Sequence, residues 1–494
     1  MSNSESKPIS HPVTEFKREL GLWSSTMIVV GSMVGSGIFI VSADIARSVG
    51  SPGWLLMVWL ITGLVTLIAA LSYGELAAMM PHAGGQYVYL KESYNPLIGF
   101  LYGWTLFLVI QTGTIAAVAV AFAKFTAVFF PVFSEENILF SIGNIRISAA
   151  QILAIGSLVL LTGINLRGVK EAKWVQDTFT GAKSIALFAL IVVGIFLGKN
   201  EIAVNANFHD FWSPSSSTKE GIASGLSIVA LISAIGVAMV GSLFSSDAWN
   251  NITFTAGEVK DPEKNIPLSL FFGTAIVTAI YILANIAYLL VLPLKGMPDG
   301  ATVIERGIQF ATSERVATAV VSVIFGDAAV LIMAALIMVS TFGCNNGLIL
   351  AGARVYYAMS KDGLFFKKAG ELSSKSVPSW ALIVQTVWAS LLCLSGSYGQ
   401  LLDYVIFAVL LFYILTIGGV FILRAKRPEV PRPYKAFGYP ILPAIYIIIA
   451  SIICVILLIK KPEYTFPGLG IVLLGIPVFY WWRSQSKSTQ AKAK

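Results

Sequence analysis

The sequence predicts an all-α polytopic membrane protein with about twelve transmembrane helices. Of its 494 residues, 56% are hydrophobic and 12% are charged, whereas a soluble domain carries about 25% charged residues. Long apolar stretches recur along the whole chain, and each has the ~17 or more residues that a helix needs to cross a bilayer. Because a soluble fold could not bury this much apolar surface, we expect the lipid bilayer to surround the protein.

The apolar stretches define twelve predicted spans, which we number 1 to 12 in chain order. They run over roughly 22–46, 53–79, 96–130, 148–165, 175–197, 222–253, 267–292, 316–358, 379–397, 401–423, 438–459 and 465–482. Lys and Arg are concentrated in alternate loops, and this bias predicts that both termini are cytoplasmic. We assign the protein to the cell (inner) membrane. A basic cytoplasmic face then explains the net charge of +8, so we expect no nucleic-acid partner.

Residues typical of enzymes and metal centres are few and scattered. The histidines are His11, His82 and His209, and the cysteines, all in apolar runs, are Cys344, Cys393 and Cys454. We find no nucleophile-elbow, zinc-protease or Walker-type motif in the sequence. The sequence therefore predicts no metal, no cofactor, no disulfide framework and no enzymatic activity.

Span 1 contains the segment Gly31-Ser-Met-Val-Gly-Ser-Gly-Ile-Phe39, in which three of nine residues are glycine. Glycine weakens a helix, and a break at membrane depth is tolerated only where it is buried in protein or lines a cavity. We therefore predict that span 1 unwinds around Gly35-Ser36-Gly37. Tight packing of small residues against a neighbouring helix is the alternative explanation.

Span 6 carries a matching polar interruption, Phe244-Ser-Ser-Asp-Ala-Trp-Asn-Asn251. This interruption lies five spans after the first one. Paired interruptions at corresponding positions are typical of transporters built from inverted repeats. We therefore expect a 5+5 inverted repeat, made of spans 1–5 and 6–10, followed by two further helices.

The predicted domain organisation follows from this repeat. We expect a cytoplasmic tail over 1–20, a first five-helix repeat over 21–198, a second repeat over 199–424, spans 11 and 12 over 425–482, and a disordered cytoplasmic tail over 483–494. The final tail is rich in Ser, Lys and Gln, a composition that cannot bury apolar surface.

Together the two breaks predict a site for an α-amino acid zwitterion. The second half of span 1 begins with the backbone N–H groups of Ser36 and Gly37, which favour a carboxylate. The first halves of the broken spans end in free carbonyls near Met33 and Phe244, which favour an ammonium group. The pattern indicates a membrane transporter of small zwitterions.

Asp247 is the only acidic residue deep in span 6. A carboxylate at the bilayer centre is costly, so we expect it to face a polar cavity or a polar partner. Three functional roles fit, namely contact with a substrate ammonium, a gate hydrogen bond and a protonation site. Capping of the unwound helix is the structural alternative, and Asn250 fits the same capping role.

Lys183 lies in span 5 within the segment Thr180-Gly-Ala-Lys-Ser184. An amine at this depth would hold a tethered positive charge against the carbonyls of span 1, where a sodium ion would otherwise bind. Snorkelling of the side chain to the cytoplasmic interface is the alternative.

These motifs resemble those of the amino acid–polyamine–organocation superfamily. The segment Gly35-Ser-Gly-Ile-Phe39 is similar to its span 1 motif, and residues 73–89 are similar to its span 2–3 region. Residues 249–267 and 342–347 resemble the L-type amino acid transporter branch. The likeness extends from about Glu19 to Arg432.

The resemblance implies a sodium-independent exchanger of amino acids with the inverted-repeat fold. It implies that the α-carboxylate meets the residues at Ser36 and Gly37. It also implies that the α-amino group meets the backbone at Met33 and Phe244, and that Phe244 is an aromatic gate. Lys183 matches a span 5 lysine that takes the place of a sodium ion.

A side-chain pocket is expected on the remaining spans, and a partner subunit is not. The expected pocket residues are Gln111, Cys344, Asn345 and Phe407. Eukaryotic members bond a heavy subunit through a cysteine between spans 3 and 4, and the loop over about 131–146 has none. We therefore expect a standalone bacterial relative with no disulfide-linked heavy subunit.

The substrate class is predicted from the single carboxylate. One carboxylate provides a single negative charge, whereas a cationic amino acid carries two positive groups, its α-amino group and its side chain. We therefore favour neutral L-amino acids. A cationic amino acid or polyamine antiporter is the main alternative. A membrane channel or a membrane-embedded enzyme is the alternative from another class.

Overall fold

The computed structural model describes residues 18, 20–81, 84–142, 145–218, 221–224, 227–375, 377–395 and 398–492. Within this part of the chain, ten helices are long and apolar enough to cross a membrane. Strands are confined to two short hairpins in the same residues. The all-α polytopic fold class predicted from the sequence is confirmed.

Spans 2 to 8 and 10 to 12 contain the ten long helices. In chain order these are Pro52–Met79, Pro96–Thr126, Ala149–Arg167, Val169–Phe196, Ile228–Ser245, Pro262–Val291, Asp327–Lys361, Tyr398–Lys426, Ile441–Lys460 and Pro462–Lys492. Span 3 contains one π-helical turn, Leu106–Ile110, and span 9 is the shorter helix Ser379–Cys393. The segment predicted as one span 8, 316–358, is divided at Gly326, whose φ is 78°, into Val316–Phe325 and the long helix Asp327–Lys361, to which the name span 8 is kept below.

Spans 1 and 6 are both interrupted, as the sequence predicted. Span 1 consists of Leu22–Met33, Gly37–Ile40 and Ser42–Val49, and span 6 of Ile228–Ser245 and Asn251–Phe254. Val34 leaves the helical region with a ψ of 88°. In span 6 the chain turns through Ala248, whose φ of 64° is rare for a residue with a side chain.

Short elements fill the loops between the spans. The helical ones are Gln86–Ser93, Pro131–Phe133, Glu201–His209, Ala256–Glu258, Val303–Arg306, Thr312–Glu314 and Lys367–Gly370. The two antiparallel hairpins pair Ile138–Ile142 with Ile145–Ser148, and Ser215–Thr218 with Gly221–Ser224. These hairpins follow spans 3 and 5, and the second one includes residues 222–224, which the sequence assigned to the start of span 6.

The chain ends differ from the prediction at one terminus. The last helix continues through Lys492, past position 483 where we expected order to end. Its final turns contain Gln, Lys and Ala, which are good helix formers, with no Gly or Pro to stop them. Most of the predicted 1–20 tail, like His82, lies outside the described residues. Within that tail, Leu20 forms a parallel bridge to Val259.

Helix contacts follow the pattern of an inverted repeat. Span 7 packs on span 1 as span 2 packs on span 6, and span 8 packs on span 5 as span 3 packs on span 10. Spans 3 and 9 form the counterpart of spans 8 and 4. Each contact between two spans therefore has a counterpart in which both spans are replaced by those five positions away in the chain. The repeat boundaries at 21–198 and 199–424 stay predictions.

Two sides of the bundle are distinguished below. We call the side at which span 1 begins the near side, and the side at which it ends the far side. On the near side, the buried carboxylate of Glu75 in span 2 accepts a 2.6 Å bond from Arg424 of span 10, and Arg432 lies 3.3 Å away. This ion pair ties the near-side end of span 10 to span 2.

Candidate functional site

The two helix breaks lie directly against each other. Ser36 precedes the second helix of span 1, and Ser245 ends the first helix of span 6. A Cβ atom added to Gly37 would lie 2.7 Å from the Cβ of Ser245. Only glycine fits this approach, so Gly37 permits the contact between the two breaks.

Carbonyls freed at the end of the first helix of span 1 are bonded by three different spans. Lys183 of span 5 donates to the carbonyl of Gly31, and the Sγ of Cys344 in span 8 lies 3.5 Å from the carbonyl of Ser32. The hydroxyl of Tyr281 in span 7 lies 3.0 Å from the carbonyl of Met33. These contacts supply the donors that an unwound helix lacks in a membrane.

Span 7 presents a row of polar side chains to the broken spans. Tyr281 also lies 2.9 Å from the carbonyl of Ser245, so one hydroxyl bridges both breaks. Asn285 accepts a 2.7 Å bond from Ser42, and Tyr288 donates to the carbonyl of Ile38 over 3.2 Å. Positions 281, 285 and 288 share one helix face.

A small cavity of about 20 Å³ lies at the span 1 break, and we call it the helix-break cavity. Its lining includes Met33, Gly35, Ser36, Gly37, Thr114, Phe244, Asp247, Cys344 and Leu348. Six of the seven predicted substrate-binding residues are therefore brought together here. The seventh, Asn250, lines an adjoining cavity described next.

A second small cavity, the Asp247 cavity, borders the first along Asp247. Its lining includes Gln86, Gln111, Thr114, Asp247, Asn250, Asn251, Leu348 and Tyr413. Asp247 accepts a 2.5 Å bond from the hydroxyl of Tyr413 in span 10. Asn250 donates to Gln86 over 3.1 Å. Among the described residues, no Lys, Arg or His pairs with Asp247.

The four predicted pocket residues divide into two groups. Gln111 lines the Asp247 cavity and donates to the carbonyl of Leu348 over 2.7 Å, and Cys344 lines the helix-break cavity. Asn345 instead points at span 3, where it donates to the carbonyl of Ile115 over 3.1 Å. Phe407 packs toward Gly468 of span 12. The structure brings neither Asn345 nor Phe407 to these two cavities.

Several lining residues were missed because their signal is weak in sequence. Thr114 and Tyr413 line the cavities, and Tyr281 and Tyr398 bond the broken spans. Each is a single polar group within an apolar helix, a pattern that also fits ordinary packing. The one signal in the sequence is that Tyr281, Asn285 and Tyr288 share a face of span 7, which indicates that this face contacts polar groups.

The far side of the helix-break cavity is closed by aromatic and polar contacts. The ring of Phe244 meets that of Tyr398 edge-on, with centroids 6.1 Å apart. The hydroxyl of Tyr398 lies 3.0 Å from the hydroxyl of Ser36. Both breaks are therefore joined to the start of span 10, and the joined groups cover the cavity.

A charged cluster, the far-side network, lies beyond this cover. Glu314, in the loop before span 8, pairs with Arg47 at the end of span 1 over 2.8 Å and with Lys124 of span 3 over 3.1 Å. Burial acts to raise the pKa of Glu314, but the charges of Lys124 and Arg47 outweigh it and hold the pKa below its ordinary value. The network links spans 1 and 3 on the closed side.

The near side is open by comparison. A cavity of about 580 Å³, which we call the vestibule, lies between the first helix of span 1, span 5, span 8 and the second helix of span 6. Ser32 lines both the vestibule and the helix-break cavity. The structure therefore has a closed far side and a large near-side cavity that reaches the breaks.

Replacing Gly37 with alanine is expected to destabilise the protein by about 1–3 kcal/mol, the usual cost of overpacking. The matched control is Gly35→Ala, whose Cβ would meet only the flexible Sγ of Cys344 at 3.2 Å. Unfolding by heat in detergent measures both variants. Equal melting temperatures for the two would contradict the close approach of the breaks.

Replacing Glu314 with glutamine is expected to loosen the far side. Removing two partly exposed ion pairs should raise labelling of Cys344 by a membrane-impermeant thiol reagent from the far side roughly three- to tenfold. Asp299→Asn, an exposed change in the same loop, is the control, and peptide mass spectrometry identifies the labelled cysteine. Because the pKa of Glu314 is lowered, the network stays charged in mildly acidic buffer. The difference in labelling between the wild type and Glu314→Gln should therefore persist there. Unchanged labelling would rule out a closing role for the network.

Comparison with known proteins identifies relatives over nearly the whole chain. The amino acid permease family matches residues 20–481. The chain is 31% identical over 483 residues to the large neutral amino acids transporter small subunit 2 of Homo sapiens, covering 95% of this chain and 82% of that protein. It is 29% identical over 482 residues to the Asc-type amino acid transporter 1 of Homo sapiens, covering 95% and 84%.

A further relative is the b(0,+)-type amino acid transporter 1 of Mus musculus, with 26% identity over 475 residues, 95% of this chain and 88% of that protein. The matches cover both broken spans and the helices that bond them. The chain therefore belongs to the amino acid permease family, in the L-type branch of the amino acid–polyamine–organocation superfamily, and is a multi-pass membrane transporter rather than an enzyme.

Proposed function

We propose that this transporter is a sodium-independent antiporter of neutral L-amino acids that works by alternating access. The observation that carries the proposal is the contact of the two helix breaks around one cavity, with amide donors on one side and carbonyl acceptors on the other. The name of one relative, the large neutral amino acids transporter small subunit 2 of Homo sapiens, supports neutral substrates.

The α-carboxylate would bind at the start of the second half of span 1. Ser36 and Gly37 offer backbone N–H groups there, at the positive end of the helix dipole. The hydroxyl of Ser36 adds a further polar contact, shared with Tyr398. Gly35 lies close to Cys344, so there is little space between span 1 and span 8 beside this position.

The α-ammonium would bind the carbonyl ends of the first halves. Met33 already accepts from Tyr281, but a carbonyl oxygen has a second lone pair for a ligand. The backbone of Phe244 lines the same cavity. Asp247 adds a carboxylate that has a phenol partner and no cation in the described structure, and Asn250 supports that segment through Gln86.

Lys183 supports independence from sodium. Its amine is fully buried and donates to the carbonyl of Gly31, so the negative end of the first helix of span 1 already holds a positive charge. A transporter with a covalently attached cation at this point needs no dissolved one to balance the same carbonyls.

The proposal includes the setting of the protein. We infer a bacterial inner membrane with both termini cytoplasmic, which makes the near side the cytoplasmic one, and a chain that works without a disulfide-linked heavy subunit. The three cysteines are buried and free, and the span 3–4 connection contains a hairpin and no cysteine. The side-chain pocket would include Gln111 and Cys344.

Exchange can be tested in proteoliposomes loaded with unlabelled leucine. We expect uptake of labelled external leucine to depend on internal amino acid and to be unchanged when choline replaces sodium. Lys183→Ala should abolish uptake because it leaves a buried carbonyl unpaired, whereas Lys426→Ala, at the near-side end of span 10, should not. Uptake that requires sodium, or that is equal into empty vesicles, would refute sodium-independent exchange.

Asp247→Asn separates neutral from cationic substrates. Asparagine still accepts from Tyr413, so we expect leucine exchange to fall by roughly tenfold or less, the effect of one charge-assisted contact. A cationic amino acid or polyamine antiporter would instead exchange lysine in the wild type and lose it specifically in this variant. Leucine and lysine uptake measured side by side decide between the two.

A further inference from the structure

The vestibule has the size and lining of a binding site in its own right. Its volume of about 580 Å³ falls in the range of about 300–1,000 Å³ that small-molecule pockets occupy. Apolar side chains from spans 1, 5 and 8 form its walls, among them Met27, Ile28, Ile185 and Leu350. An apolar side chain of a ligand would pack against these residues.

A charged pair stands in this wall. Glu258, just after the second helix of span 6, pairs with Arg354 of span 8 over 2.7 Å. The side chains are 18% and 6% exposed, respectively, so both charges face little water. They offer one carboxylate and one guanidinium to whatever enters the vestibule.

A buried amide lies at the boundary with the central site. Asn251 is 4% exposed and lines both the vestibule and the Asp247 cavity. Its side-chain nitrogen has no hydrogen-bond partner among the described residues. A buried donor without an acceptor is costly, and a ligand carboxylate beside it would remove that cost.

We propose that the vestibule is a second amino acid site, separate from the cradle at the helix breaks. It takes a zwitterionic amino acid with an apolar side chain, with the carboxylate at Arg354 and Asn251 and the ammonium at Glu258. The side chain packs on Met27 and Leu350. The inference rests on the proposed function only in that the ligand is an amino acid that the central site also accepts.

The charge balance of the vestibule favours a zwitterion over other ligands. Inserting between Glu258 and Arg354, a zwitterion gives each charge a new opposite partner, so neither is left buried and unpaired. A lipid acyl chain would fill the apolar walls but give Asn251 no acceptor. A simple anion or cation would bind one of Glu258 and Arg354 and leave the other buried without a partner.

Stoichiometry tests the proposal directly. Equilibrium binding of radiolabelled leucine to the purified chain in nanodiscs should saturate at two molecules per chain. Leu350→Trp, which fills the vestibule, should reduce this to one. The matched control is Leu331→Trp on the exposed face of the same helix, which should leave two. One molecule per wild-type chain, with exchange intact, would overturn the second site and leave the proposed function standing.

Kinetics provide an independent measurement, which also guards against misfolding of the tryptophan variant. In proteoliposomes of known orientation, Glu258→Gln should raise the near-side KM for leucine roughly tenfold through loss of one charge-assisted contact, with the far-side KM unchanged. Asp362→Asn, which breaks a 2.7 Å ion pair with Lys91 at the end of span 8, is the control and should change neither.

Two further outcomes would overturn the proposal. Equal changes of KM on both sides would mean that Glu258 acts on the central site or on folding. A phospholipid retained by the wild type in native mass spectrometry, and lost in Leu350→Trp while leucine binding stays at one molecule, would assign the vestibule to lipid. Absence of any leucine exchange by the wild type would instead refute the proposed function.

Discussion

The structure depends on how the open end of the first helix of span 1 is bonded. A helix that stops at membrane depth exposes carbonyls with no water to accept bonds from, and each unsatisfied group costs several kcal/mol. Here the carbonyls of Gly31, Ser32 and Met33 are bonded from spans 5, 8 and 7. The break can exist only because three other helices supply donors to it. The packing of the bundle and the formation of the site therefore depend on the same contacts.

This bonding explains why the two breaks are coupled. The hydroxyl of Tyr281 touches a carbonyl from each break, and Gly37 leaves room for Ser245. Movement of either half-helix therefore disturbs the other. The far side is held by Phe244 and Tyr398, which join both breaks to span 10. On the near side, backbone bonds of Leu20 with Glu258 and Lys260 join the start of span 1 to the end of span 6, and Glu258 pairs with Arg354 of span 8. The two sides therefore differ mainly in the vestibule, a cavity of about 580 Å³ on the near side.

Periodicity and composition predicted the spans because lipid imposes a length and a polarity on every crossing segment. The breaks could also be predicted, since glycine and polar residues are anomalous at membrane depth. Phe407 and Asn345 show the limit of such reasoning. Both lie on spans that do line the site, but the rotation of a buried helix cannot be read from a sequence that is apolar on every face. Tyr281 was missed for the same reason, since a lone tyrosine in a membrane helix is ordinary.

The two buried ionisable groups near the breaks, Lys183 and Asp247, have different surroundings. Lys183 lies at the carbonyl end of a half-helix, where the dipole is negative and an ammonium is stabilised without a counter-ion. Asp247 lies in the other break, where the phenol of Tyr413 and the backbone of Ala248 are hydrogen-bond partners and no cation pairs with it among the described residues, and a carboxylate there gains most from a cation that arrives and leaves. The lysine therefore serves the fold, and under the proposed function the carboxylate serves the substrate. Under the proposed function, an amino acid supplies that cation through its α-ammonium group.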